Sequence, residues 1–116
     1  MKKIFLVEDD HALRELIGFL LTEKEYEVKA FPTVTSFTKV INKELPDVIV
    51  MDIMLPDGNG VDLCKSIREE QKTRDIPVLL MSAHANPSIV NGSGANSFLA
   101  KPFDVEELYK CIEQIS

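Results

Sequence analysis

Three acids stand together at Glu8-Asp9-Asp10. A fourth acid, a hydroxyl and an amine follow at Asp52, Ser82 and Lys101, and each group comes directly after an apolar run. The runs are Ile4-Phe5-Leu6-Val7, Val48-Ile49-Val50-Met51, Val78-Leu79-Leu80-Met81 and Phe98-Leu99-Ala100. Ligands of open parallel sheets bind beyond the carboxyl ends of the strands, so these strand ends describe one site. If Glu8, Asp9 and Asp52 converge, two carboxylates about 4 Å apart repel by roughly 4 kcal/mol at an effective dielectric of 20. Such a cluster must take up a proton, a nearby cation or a metal. Carboxylate oxygens without His or Cys point to Mg2+ or a similar ion such as Mn2+, held by few protein ligands and several waters. A metal with open positions suits a phosphoryl ligand. Lys101 adds positive charge and Ser82 a hydroxyl donor, which together would neutralise phosphoryl oxygens during in-line transfer. The acceptor would be a carboxylate, because Asp can be phosphorylated directly.

Each residue also has a plainer reading. Asp10 reads as a helix N-cap, with Glu8 and Asp9 as favourable charge near a helix start. Asp52 alone would pass for a loop carboxylate, Ser82 for another N-cap, and Lys101 before Pro102 for a solvated lysine. Their common placement at strand ends favours chemistry over these plainer roles. His11 and His84 read as surface imidazoles. Gly58-Asn59-Gly60 and Gly92-Ser93-Gly94 both lack the third glycine of a dinucleotide fingerprint, and no GxxxxGK[ST] loop exists, so no nucleotide is implied.

The elements that must position these groups alternate between strand-like and helix-like, which implies a parallel sheet covered on both faces. Strands are expected near 3–8, 26–31, 47–52, 77–82 and 97–100. The second alternates Glu27, Val28, Lys29, Ala30 and suits an edge, whereas the continuous apolar runs suit central strands. Helix 1 is expected from about Asp10 to Glu23, with Leu13, Leu16, Ile17, Leu20 and Leu21 on one face. A second helix repeats Val34, Phe37, Ile41, Leu45 and ends before Pro46. A third follows the Leu55-Pro56-Asp57-Gly58-Asn59-Gly60 turn with Val61, Cys64 and Ile67. The last repeats Val105, Leu108, Ile112 and Ile115 behind an Asp104 N-cap. Between Ala83 and Asn96 the rhythm breaks. Pro87, Asn91, Gly92 and Gly94 interrupt any helix there, so the fourth crossover helix is expected to be short, displaced or absent and its segment mobile.

The chain of 116 residues reads as one domain, 1–116. Its 13 basic and 19 acidic residues give a net charge of −6, which argues against nucleic-acid binding by this domain alone. No apolar run approaches membrane-spanning length. The start faintly resembles a secretion signal, but its apolar stretch meets three acids after four residues. Cys64 and Cys111 lack metal-ligand spacing and read as buried thiols of a reducing, cytoplasmic compartment.

The residues Val7-Glu8-Asp9-Asp10, Met51-Asp52-Ile53-Met54-Leu55-Pro56 with Gly60, Met81-Ser82-Ala83, and Phe98-Leu99-Ala100-Lys101-Pro102-Phe103 occur in an order and spacing that resembles the receiver domain of bacterial two-component response regulators. The resemblance covers essentially the whole chain. It implies a flavodoxin-like five-stranded sheet of order 2-1-3-4-5. It further implies that Asp52 is the phosphoacceptor. Asp9 would bind Mg2+ directly and Glu8 through water, and the Met54 carbonyl would complete the protein ligands with Asp52. Ser82 would be the switch hydroxyl, with Ala83 beside it at the phosphoryl site. Lys101 would bind the phosphoryl group, Phe98 would be the switch aromatic, and the Lys101-Pro102 bond would be cis. The donor would be a phosphohistidine on a sensor histidine kinase or phosphotransfer protein. The receiver would catalyse the transfer to its own aspartate while acting primarily in signalling.

Three departures from the family pattern stand out. Ser82 replaces the more usual threonine, and Phe98 the common tyrosine. Ser82 and Lys101 are only 19 positions apart, a few fewer than usual, with the deficit where the fourth crossover helix belongs. Catalysis should survive this shortening, while the usual output and dimerisation surface is altered. Two rival readings ask for different residues. An aspartate-nucleophile phosphohydrolase of the haloacid dehalogenase type would want a general acid where Met54 stands. A phosphorylation-independent pseudo-receiver would lack an acid or the lysine, and none is lost. The sequence shows no effector domain after Ser116, which suits a stand-alone receiver, a phosphorelay shuttle or a fragment of a longer regulator.

Overall fold

A computed structural model of the chain describes residues 1–83, 88 and 91–116. The elements in chain order are β1 (Lys3–Val7), α1 (His11–Glu23), β2 (Glu27–Phe31), α2 (Val34–Ile41), β3 (Val48–Asp52), a two-residue pair β4 (Met54–Leu55) and β5 (Gly58–Asn59), α3 (Gly60–Glu69), β6 (Val78–Ser82), β7 (Ser97–Ala100) and α4 (Val105–Ile115). All neighbours in the main sheet run parallel, in the order β2-β1-β3-β6-β7. Counting main-sheet strands alone, this is 2-1-3-4-5, the flavodoxin-like order expected.

The apolar runs explain the layering. Residues of β1, β3 and β6 are buried almost throughout, because helices cover both faces of a parallel sheet. Alternation then sorts them. Phe5, Val7, Ile49, Met51, Val78 and Leu80 pack with Phe37 of α2 and Cys64 and Ile67 of α3. Ile4, Leu6, Val48, Val50, Leu79 and Met81 pack with Ile17 and Leu21 of α1 and Leu108 and Ile112 of α4. Edge strand β2 exposes Glu27 and Lys29, as its alternation requires, and leaves Ala30 exposed as well.

Helix starts follow capping chemistry. The side chains of Asp10, Thr33 and Asp104 accept from Leu13, Ser36 and Glu107 N–H, and the last two form full capping boxes. Two sequence expectations shift. Helix α2 stops at Ile41, since the Lys43 and Glu44 amides turn back onto the Val40 carbonyl, and Leu45 is left 49% exposed. In α1 the buried face narrows to Ile17 and Leu21, while Leu16 is exposed. Cys64 is buried as expected, and Cys111 only in part. The expectation for the fourth crossover helix falls largely on residues 84–87, 89 and 90, outside the described residues, as does His84. Among the described residues no helix is long and apolar enough to cross a membrane.

Candidate phosphoryl and metal site

The site forms where β1, β3, β6 and β7 end together. Glu8 directly follows β1, and its N–H donates to the Phe31 carbonyl (3.0 Å), so the β1–β2 ladder extends one residue and turns the Glu8 side chain into the cluster. Asp52 is the last residue of β3 and pairs with Met81 of β6. Ser82 ends β6 opposite Ala100, and the Lys101 N–H donates to the Ser82 carbonyl (2.8 Å). The Lys101-Pro102 peptide is cis.

Lys101 is the hub. Its Nζ donates to Glu8 Oε1 at 2.7 Å and to Asp52 Oδ2 at 2.8 Å. The second oxygen of each acid is held by backbone. Asp10 N–H donates to Glu8 Oε2 (3.1 Å), and Met54 N–H donates to Asp52 Oδ1 (3.3 Å). Glu8 is fully buried, Asp52 nearly so, and Asp9 is exposed at the mouth. Carboxylate oxygens of Glu8, Asp9 and Asp52 all lie within 4.8 Å of one another. Three carboxylates against one ammonium leave two formal negative charges, which a divalent cation would balance. The donors are hard oxygens, and one acid faces solvent, so the residues present fit an ion such as Mg2+ that keeps several waters.

The remaining sequence candidates fall around this cluster. Met54 lies two residues past Asp52 and is 63% exposed. Ser82 is buried beside Asp52's strand partner. Ala83 lines an apolar groove of about 330 Å3 with Ile17, Lys101, Pro102 and Phe103. Phe98 sits half-buried on β7 opposite Leu80, three residues before Lys101.

Two supporting residues escaped the sequence reading. Arg14 donates from Nη1 to the carbonyls of Glu8 (2.9 Å) and Asp9 (3.3 Å), clasping the loop that carries both acids. Its signal was a cation one helical turn past the acids. Asp57 accepts from Val34 N–H (2.8 Å), Thr35 N–H (2.9 Å) and Thr35 Oγ1 (2.6 Å), which docks the loop after Asp52 onto the start of α2. No local pattern announces that contact.

Burial pushes the Glu8 carboxyl above its ordinary value; the Lys101 and Asp10 hydrogen bonds oppose this, and Asp52's charge adds to it. For Lys101, burial works downward, but the hydrogen bonds and charges of Asp52 and Glu8 outweigh it and leave the amine raised. A raised carboxyl means that the folded state binds its proton more tightly than the unfolded chain. Glu8 therefore favours folding below 4.5, and the benefit is lost as pH rises through its folded value. Lys101's share survives until pH passes 10.5 and then its folded value. Glu8→Gln should consequently gain stability over the native chain as pH climbs from 4.5 toward neutrality in EDTA. Thermal melts of both proteins across that range check this, and parallel curves would refute it.

The profile described as response regulator receiver domain matches residues 4–113. The chain belongs to the response regulator receiver domain family. It is 32% identical to the phosphate regulon transcriptional regulatory protein PhoB of Escherichia coli over 98% of its own length and 51% of that protein. The chain thus spans about half the length of the curated relatives it matches first. Among solved receivers, chemotaxis response regulator CheY4 of Vibrio cholerae superposes with a TM-score of 0.94 at 25% identity, covering 100% of this chain and 99% of that one. The response regulator TrrA of Thermotoga maritima, in complex with Mg2+-BeF, gives 0.90 at 26% identity, covering 100% of both chains.

Proposed function

We propose that this receiver takes a phosphoryl group onto Asp52 from the phosphohistidine of a sensor histidine kinase or histidine phosphotransfer protein, in the cytoplasm. The observation that carries this reading is the Lys101 ammonium bridging Glu8 and Asp52 at 2.7 and 2.8 Å, beside a third acid open to solvent. Glu8, Asp9, Asp52 and the Met54 carbonyl would hold Mg2+, with Mn2+ as a substitute. Bound there, the ion would offset carboxylate and phosphoryl-oxygen charge that one lysine leaves uncompensated.

The chain's own residues do the rest. Asp52 Oδ attacks phosphorus in line as the bond from phosphorus to imidazole nitrogen breaks, and the imidazole leaves with its electron pair. Lys101 passes from the Asp52 carboxylate to a phosphoryl oxygen, a movement of a few ångströms for a flexible stem. Ser82, at the end of the adjacent strand, would donate its hydroxyl to a second oxygen, and the Ala83 N–H a further bond. Phe98, on the strand that ends at Lys101, would follow that rearrangement and carry the signal outward.

The decisive experiment is intact mass after incubation with a small phosphodonor and Mg2+. A stable, acid-labile gain of one phosphate that vanishes in Asp52→Asn is the expected result. Undiminished labelling of that variant would sink the assignment. Turnover of the donor without stable label would favour the hydrolase reading, and no reaction at all the pseudo-receiver.

A further inference from the structure

The amine of Lys101 reaches the acidic cluster from the end of β7, a four-residue edge strand with one neighbour. Of those four side chains only Leu99 is buried; Ser97 and Phe98 are half-buried and Ala100 is exposed. Such a strand has little hydrophobic pattern with which to choose its register. A slip by one residue would turn every side chain to the other face and move Lys101 by about 3.3 Å. That is enough to break both of its bonds to the acids. Something outside β7 has to hold its start.

Arg68, in the last turn of α3, meets that need. Its guanidinium donates four hydrogen bonds. Nε binds the Gly94 carbonyl (2.8 Å), Nη1 the carbonyls of Arg74 (3.0 Å) and Ile76 (2.7 Å), and Nη2 the Asn96 side-chain oxygen (2.6 Å). Asn96 is the residue immediately before β7, and it is itself locked to β6. Its N–H donates to the Val78 carbonyl (2.9 Å), and its Oδ1 also accepts from Val78 N–H (2.9 Å). Gly94 adopts a φ of +89°, and a Cβ there would lie 2.7 Å from Arg68 Cγ, so the loop backbone rests directly on the arginine stem. One planar fork thus ties the end of α3, the α3–β6 connection and the entry to β7 into one unit. A lysine, with a single point of donation on a flexible stem, would not span these acceptors.

We infer that Arg68, acting through Asn96, is a positioning residue for phosphoryl transfer: it sets the register of β7 and thereby the reach of Lys101. Lys101 lies five positions after Asn96, about 16 Å of extended chain, so Arg68 acts through the strand and touches no reacting group. The inference rests on the reading of Asp52 as the phosphoacceptor. It also makes a prediction that a general stabilising role would not. Lys101 competes with a cation for Glu8 and Asp52, so a displaced Lys101 should slow phosphoryl transfer while leaving Mg2+ binding equal or tighter.

The test compares native protein, Arg68→Ala, Arg68→Lys and Asn96→Ala by initial rate of labelling from a small phosphodonor and by calorimetric Mg2+ titration. Arg68→Ala should label about a hundredfold more slowly with undiminished Mg2+ affinity. Added guanidinium ion at millimolar concentration should restore part of the rate, and Arg68→Lys should remain slow. If Arg68→Ala fails to fold, Asn96→Ala carries the same comparison, because it removes the acceptor nearest β7 that the arginine shares with Val78 N–H. Labelling within twofold of native, or a parallel loss of rate and Mg2+ affinity without guanidinium recovery, would overturn the inference. A native protein that takes no label would instead count against Asp52 as the acceptor.

Discussion

Lys101→Met should melt about 12 °C below the native protein at pH 7 in EDTA, and should label about a hundredfold more slowly from a small phosphodonor. The lysine is the only side chain seen to neutralise Glu8 and Asp52 among the described residues, and its side chain is 17% exposed against 0% and 10% for the acids. Removing one partner of a buried ion pair costs about 3–5 kcal/mol, because the other charge stays behind. Proton uptake limits this cost. Holding a carboxyl of ordinary value 4.5 neutral at pH 7 costs about 1.36 kcal/mol per pH unit, or ~3.4 kcal/mol in all. The loss should therefore be about 3 kcal/mol, which at ~4 °C per kcal/mol for a chain of this size gives the stated shift. Two further readings follow from the same bookkeeping. The deficit should shrink below about 1 kcal/mol near pH 5, where protonation of Glu8 is cheap. Mg2+ should return much of it by mass action, because the variant's acids are free to bind the ion. An EDTA melt equal to that of the native chain would mean that Lys101 does not neutralise the pair in solution.

The parts of this site that were legible in the sequence share one property: they sit at the ends of apolar runs. Ile4–Val7, Val48–Met51 and Val78–Met81 are fully buried, so each run had to be a central strand, and the polar residue after it had to lie at one sheet edge. Glu8 and Asp52 were found together for that reason, whereas Lys101, 93 positions from Glu8, follows a shorter and only partly buried apolar run on the edge strand β7. Periodicity reports a local face and nothing more. It carried α2 on to Leu45, because a turn after Ile41 leaves the apolar spacing intact while reversing the chain. It placed Leu16 with Ile17 and Leu21, although the helix has room against the sheet for a narrower stripe. It said nothing of Arg68, whose partners at Gly94 and Asn96 lie 26 and 28 positions away, nor of Asp57, which caps a helix that precedes it by more than 20 residues. Contacts made by one polar side chain to distant backbone leave no repeat in a sequence.

Gly60→Ala should destabilise the protein by about 3 kcal/mol and slow labelling of Asp52 by about a hundredfold, although residue 60 contributes no side chain to the site. Gly60 is the first residue of α3 and is buried against the end of β3, where its N–H donates to the Ile53 carbonyl (2.7 Å). A Cβ at this position would collide with the Asp52 carbonyl oxygen and lie 2.9 Å from Ile53 Cα and 3.1 Å from the Asp52 carbonyl carbon. Every one of those atoms is backbone, so no rotamer can relieve the clash, and either the helix must lift or Asp52 must move. The same substitution elsewhere provides the control. At Gly18, inside α1, a Cβ meets nothing within 4 Å, so alanine should stabilise by about 0.5–1 kcal/mol through lost chain entropy in the unfolded state. At Gly58 the obstacle is Val34 Cγ2 at 2.9 Å, a side-chain methyl that can yield, so the cost should fall between the other two. Melting temperatures of the three variants should therefore rank Gly18→Ala above native, Gly58→Ala below it and Gly60→Ala lowest. Labelling should be impaired chiefly in the last. A Gly60→Ala protein that melts and labels like the native chain would show that α3 is not seated on the end of β3. The position of Asp52 would then owe nothing to the close approach that only glycine permits.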